Sequence, residues 1–278
     1  VYWAIKGGSA RKLPGLIVAS VLLALLAPLT ASAEDRRVDL ELVLAADISG
    51  SMDHEEAVLQ RTGFINAIRH PEVIATIQRG RYGRIAVTYI EWAGAIHQTT
   101  LVKWTEVYDE ASAEAFAKAV AAPPVRTAFW TSISTVIDYA LASLVDNGFK
   151  ALRQVIDISG DGPNNSGGYV PEARDRAIEK GVTINGLPII NNRPGPYGFM
   201  PMPNLDHYYE DCVIGGFAAF VIVANGFQDF ARAVRRKMLL EIAGLRPKRP
   251  LLHFAAEGYR PPCDAGEIQL RQYRDQFP

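Results

Sequence analysis

Apolar positions along the chain recur in two alternating rhythms, and their order predicts a layered α/β fold. Val38–Ala46 is an apolar run interrupted only near its start, by Asp39 and Glu41, and reads as a strand that becomes fully buried. Ala57, Val58, Phe64, Ile65 and Ile68 then fall on one helical face, which His70-Pro71 ends. A short helix is expected over Glu72–Gln78. Arg84–Trp92 and Ile96–Trp104 read as strands, and the link Ala93-Gly94-Ala95 is short enough to require an antiparallel hairpin. The second of these mixes His97, Gln98, Thr99, Thr100 and Lys103 with apolar residues, as suits a sheet edge.

The same alternation continues. Asp109–Val120 is helical and closed by Pro123-Pro124. Ser132–Val145 carries the clearest helical period, with Ile133, Val136, Ile137, Ala140, Leu141 and Leu144 on one face. Gln154–Ser159 is a strand ending in the turn sequence Gly160-Asp161-Gly162-Pro163-Asn164-Asn165. A helix over Glu172–Lys180 stops at Gly181, and Val182–Ile190 is a fifth strand. Asn191–Asn204 is an irregular, proline-rich loop carrying Tyr197, Phe199, Met200 and Met202. A short helix over Asp206–Cys212, a sixth strand over Ala218–Val223 and a last helix follow, the helix capped by Asn225 with Gln228 three residues on. After Gly244 no period persists, so 245–278 reads as an extended tail.

Strands alternating with helices predict a doubly wound, mostly parallel six-stranded sheet with one antiparallel edge strand and helices on both faces. Such sheets bind ligands at the carboxyl ends of their strands, where strand order reverses. The loops expected on that edge carry hard oxygen donors. Asp47, Ser49 and Ser51 recur at every second residue after the first strand, around Gly50. Thr131 precedes the clearest helix, and Asp161 follows the fourth strand. Carboxylates and hydroxyls of this kind suit Mg2+ or Mn2+. The competing reading of the first cluster is a helix entry, with Asp53 and Glu56 as a capping box.

Composition narrows the function classes. The chain is 49% apolar and 21% charged with a formal net charge of -1, enough for a sizeable core and without the basic field that nucleic acid requires. Lys6, Arg11 and Lys12 precede the apolar run Leu16–Leu26 and the small-residue site Ala31-Ser32-Ala33. This pattern predicts a signal peptide over 1–33, a folded domain over 34–244, and a membrane met only transiently during export. Cys212 and Cys263, the only cysteines, are then expected to form one disulfide in a periplasmic or secreted protein.

Asp47-x-Ser49-x-Ser51, Thr131 and Asp161-Gly162, in this order on an α/β pattern, resemble the metal-ion-dependent adhesion site of the von Willebrand factor type A domain. The resemblance covers about Val38 to Gly244. RIAVTYIEWAG (84–94), QVIDISGDGPNN (154–165), DCVIGGFAAFV (211–221) and FARAVRRKMLLEIAG (230–244) are similar to an uncharacterised exported bacterial subfamily. The resemblance implies that Ser49 and Ser51 ligate a metal directly, Thr131 directly or through water, and Asp47 and Asp161 largely through water. It also implies an open position for a partner's carboxylate. The sequence departs from the pattern at two places: Phe129-Trp130 stand where the family usually has glycine, which leaves Ser132, Ser134 and Thr127 as rival hydroxyls, and Gly160 stands where the family often has Thr. Asp157, inside a strand, is read as structural.

Three functions compete. The first is a non-enzymatic, metal-dependent module that captures a protein or peptide carboxylate. The second is an accessory subunit of a chelatase or AAA+ machine, which an export signal disfavours. The third is a hydrolase using Ser49 or Ser51 with His54, for which no G-x-S-x-G elbow exists.

Overall fold

Seven consecutive buried residues, Glu41–Asp47, form the strand β2 at the middle of the molecule. A computed structural model describes Val1 and residues 36–191, 193–196, 200–247 and 259–276. The expected signal peptide lies outside the described residues, as do Tyr197 and Phe199. Residues 35–278 form one compact unit.

β2 is flanked by β3 (Ile85–Trp92) and β6 (Gln154–Gly160), both parallel to it. β4 (Gln98–Val107) pairs antiparallel with β3 at one edge, and β7 (Thr183–Ile190) and β8 (Ala224–Asn225) extend the other side. The six-stranded order is therefore β4-β3-β2-β6-β7-β8, with one antiparallel pair, as the alternation of patterns implied. A separate two-stranded parallel ladder of β1 (Arg36–Val38) and β5 (Phe149–Ala151), not expected from the sequence, leads into β2 and β6.

Side-chain alternation along β2 divides the core. Leu42, Leu44 and Ala46 face helices α1 (His54–Ile68), α2 (Pro71–Gln78), α3 (Glu110–Ala121) and α7 (Phe230–Ala243). Val43 and Ala45 face α4 (Ile133–Ser143) and α5 (Val170–Glu179). Burying the sheet on both faces explains the continuous apolar runs.

Four expectations are corrected. On α1, Val58 is exposed, while Gln60 and Arg61 are buried. Both have charged or polar partners: Gln60 donates to the Asp47 carbonyl at 2.8 Å, and Arg61 pairs with Glu91 at 2.6 Å. The sixth strand is not Ala218–Val223 but the pair Ala224–Asn225. Gly216 and Ala218 at positive φ bend the chain, so Val221 makes only an isolated bridge to Gly186 before the ladder forms. Asn225 does not cap the last helix; its amide donates to Asp229, and a 3-10 turn, Phe227–Asp229, leads into α7. The expected helix over Asp206–Cys212 is a short α6 (Leu205–Tyr208) followed by a π-turn, Tyr209–Val213.

The tail is corrected as well. It contains a helix, α8 (Ala265–Gln276). Its anchor is the expected disulfide: Cys212 of the π-turn is bonded to Cys263, with Cα atoms 5.4 Å apart. Among the described residues, no helix is long and apolar enough to cross a membrane.

Candidate metal centre

β2 and β6 are neighbours, and the strand order runs outward from them in opposite directions. Their carboxyl ends are thus the switch point of the sheet, where side chains from two diverging loops can meet. Asp47 closes β2 and Asp161 follows β6.

The loop after β2 is fixed by backbone bonds. The Ile48 amide donates to the Trp92 carbonyl at 2.8 Å, and the Ala128 amide donates to the Ile48 carbonyl at 2.9 Å. Asp47 Oδ1 accepts the Ser49 amide at 2.7 Å, curling the chain so that the hydroxyls converge. Ser49 Oγ and Ser51 Oγ lie 2.9 Å apart, and Ser51 Oγ donates to Asp161 Oδ1 at 2.5 Å. Asp53 and Glu56 do form the capping box of α1. The helix entry and the oxygen cluster are therefore consecutive features of one loop, not alternatives.

Thr131 arrives from another direction. Its amide donates to Asn165 Oδ1 at 2.8 Å, and its carbonyl accepts the Asn165 and Ser166 amides at 2.9 and 3.1 Å. The turn after β6 is thereby laced to the segment before α4. The rival hydroxyls are used elsewhere. Ser132 is the N-cap of α4, Ser134 bonds Asn164, and Thr127 is exposed and does not line the cleft described below. Trp130 adopts φ 68, the left-handed region that a glycine would favour. Gly94 makes room for this turn, since a Cβ there would stand 2.8 Å from the Phe129 carbonyl oxygen and 3.0 Å from Trp130 Cβ.

Electrostatics mark the two acids. Burial, then the charge of Asp161, hold the Asp47 carboxyl well above the usual carboxylate range, against hydrogen bonds from Ser49. Burial pushes Asp161 up to about 6; the Ser51 hydroxyl opposes this, and Glu56 adds to it. Asp47 Oδ2 is buried without a hydrogen-bond partner among the described residues. Two such acids with converging hydroxyls fit a divalent cation, whose charge would favour both ionised forms. The donor set is mostly neutral. Among the described residues, no group of three His, Cys, Asp or Glu side chains could hold a metal by charge instead.

Ser49, Ser51, Thr131 and Asp161 line one cleft of about 360 Å3, while Asp47 stands behind Ser49. Its walls are Phe129 and Trp130, Met200 to Met202 of the loop after β7, and Gln269 and Tyr273 of α8. The loop is tied to α1, with Arg193 Nη2 2.7 Å from Glu56 Oε1 and Asn191 Nδ2 donating to the same oxygen at 3.0 Å. Met200 is exposed, whereas Met202 packs partly onto the core. Sequence reasoning missed α8 because few of its positions are fully buried; Cys263, two residues before it, was the available signal. His54 is exposed at the start of α1 and does not line the cleft. Asp157 pairs with Lys237 of α7, a structural role.

Among solved structures, the chain is similar to proximal thread matrix protein 1 from the mussel byssus, at 13% identity over 76% of this chain and 49% of that one, TM-score 0.56. Another form of that protein is described as having a zinc-occupied MIDAS motif. A von Willebrand factor type A protein from Catenulispora acidiphila matches at 14% identity over 74% of this chain and 43% of that one, TM-score 0.50. The pilus adhesin SpaC from Lactobacillus rhamnosus GG, in its open conformation, matches at 14% identity over 74% and 30%, TM-score 0.53. The chain thus spans less than half of each of these structures, and at such identities the likeness establishes the fold alone. No curated protein matches the sequence. The fold is that of the von Willebrand factor type A domain. A family model matches residues 37–246, so the chain belongs to the family described as "Protein of unknown function (DUF1194)".

Proposed function

We propose that this is an exported, non-enzymatic module that binds a divalent cation, Mg2+ or Mn2+, and uses it to capture the carboxylate of a protein or peptide partner. The observation that carries the reading is the convergence of Ser49, Ser51 and Asp161 on one cleft floor, joined by hydrogen bonds of 2.9 and 2.5 Å. Thr131 lines the same cleft. Ser49, Ser51 and Thr131 would hold the metal, with Asp47 and Asp161 acting largely through water. When bound, the metal supplies a positive centre that attracts a carboxylate, because neutral hydroxyls offset little of its charge. The chain's part is to fix the hydroxyls: Asp47 orients the Ser49 amide, Asp161 accepts from Ser51, and the Asn165 turn holds Thr131.

Export is supported by the leader pattern and by the Cys212–Cys263 bond, which persists in oxidising compartments. An ATP-driven cytoplasmic machine fits neither feature. A hydrolytic reading is opposed by the position of His54, exposed and outside the cleft. The test is capture of an immobilised peptide bearing a carboxylate by mature protein, with Mg2+ and with chelator. Capture that chelator abolishes and fresh Mg2+ restores is expected; capture indifferent to chelator contradicts the reading.

A further inference from the structure

The metal edge of this chain is a walled cleft, and the walls say what kind of carboxylate fits. We propose that it selects a carboxylate carried on an apolar body about the size of one amino-acid residue, a free apolar acid or the C-terminal residue of a chain. This rests on the metal reading above and names its ligand class.

The floor is polar, with Ser49, Ser51, Thr131 and Asp161, and the walls are largely apolar. Trp130 and Met200 are 44% and 63% exposed, large apolar side chains facing one opening from two different loops. Trp130 is the more telling of the two. A bulky residue in the left-handed region persists only where its surroundings over-determine it, and such positions cluster at ligand sites. Here the turn is held from below by Gly94 and by the Ser132 amide on the Ala93 carbonyl at 2.8 Å. From above, the Arg274 guanidinium of α8 lies 5.8 Å from the Trp130 ring centre.

The third wall is fastened in place. Asn164 Nδ2 donates to Glu267 Oε1 at 2.6 Å, Gln269 Nε2 donates to the Met200 carbonyl at 3.1 Å, and Gly266 packs against the Asn164 carbonyl. The disulfide ties the start of α8 to the π-turn. A cleft of about 360 Å3 is at the small end of ligand pockets. An Asp or Glu inside a chain would have to lead its backbone in and out past three walls. A free acid or a chain terminus enters once, placing its carboxylate on the floor and its apolar group between Trp130, Met200 and Tyr273.

The test is calorimetry on Mg2+-saturated protein with acetate, 3-phenylpropionate and a hexapeptide ending in phenylalanine with a free carboxyl group. 3-Phenylpropionate is expected to bind at least about tenfold tighter than acetate, from the apolar surface it buries. Trp130→Gly, in which glycine suits the backbone, should reduce that ratio to about twofold without changing Mg2+ affinity. Met200→Ser, at an exposed position, should lower it in the same direction. A peptide matching 3-phenylpropionate assigns a chain terminus, in line with the protein or peptide partner proposed above; a weaker peptide assigns a free acid, which supports the ligand class but overturns the protein or peptide partner. Equal affinities for acetate and 3-phenylpropionate with Mg2+ bound overturn the inference alone. Absence of Mg2+ binding overturns the metal reading and this inference with it.

Discussion

At the scale of residues, neighbouring hydroxyls have separable duties. Thr131 is buried on the cleft floor, with its backbone held by Asn165, whereas Ser132 caps α4 by accepting the Thr135 amide. Thr131→Ala should therefore weaken Mn2+ binding by about tenfold while leaving the melting temperature nearly unchanged. Ser132→Ala should do the reverse, costing about 1 kcal/mol of stability with metal affinity intact. Titration calorimetry and thermal melts on both variants check this; metal loss in Ser132→Ala alone would reassign the ligand. Spacing showed the DxSxS cluster directly, because its oxygens are local. It named Thr131 but left Thr127, Ser132 and Ser134 as rivals, because what separates these hydroxyls includes contacts with Asn164 and Asn165, some thirty residues away in the chain. Phe129-Trp130 looked like a departure from the glycine pattern, yet Trp130 adopts the conformation glycine would.

At the scale of elements, the strand β6 and helix α7 share a buried charge network. Lys237 Nζ stands 2.5 Å from Asp157 Oδ1 and 2.6 Å from Glu241 Oε1, and Asn185 of β7 donates to that same Glu241 oxygen at 2.9 Å. Burial, then the Glu241 charge, raise Asp157 to about 7 against the pull of Lys237, and Tyr209 of the π-turn is close enough to feel its charge. An acid raised in the folded state contributes stability that is fully present below its ordinary pKa near 3.8 and lost as pH rises through about 7. Chemical denaturation should show a loss on the order of 2 kcal/mol from this group between about pH 5 and about pH 8, and Asp157→Asn should make the profile shallower, the remaining slope belonging to the raised acids Asp47 and Asp161. An unchanged slope in the variant would place the titrating group elsewhere. The second element-scale expectation concerns α8. Cys212 and Cys263 are 51 residues apart, so replacing both by Ser should cost up to about 4 kcal/mol in the chain-entropy view. Mg2+ binding should survive, since α8 supplies none of the proposed ligands. The cysteine pair was legible as a clip; the helix behind it was not, because α8 gains its place from Glu267, Gln269 and Gly266 contacts with distant loops.

At the scale of the whole molecule, the sheet was the most legible feature. Strands buried on both faces must read as apolar runs and the edge strand β4 as a mixed one, and five of the six are within a few residues of where the pattern put them. The exception, β8, is two residues long and set by the bend at Gly216 and Ala218, which hydrophobicity cannot encode. The topology then accounts for the site, since the order β3-β2-β6 brings the loop after β2 beside the loop after β6. Whether that meeting point binds metal is the central question, and Asp161 is the residue on which to ask it. It lies on the cleft floor and accepts from Ser51, and no other described hydrogen bond of its side chain supports the fold. Titration calorimetry of mature protein with Mg2+ and then Mn2+ should give weak, saturable binding to one site. Asp161→Ala should abolish it while circular dichroism remains that of the folded chain. Identical titrations for the two proteins would contradict the metal site and the capture of carboxylates built on it.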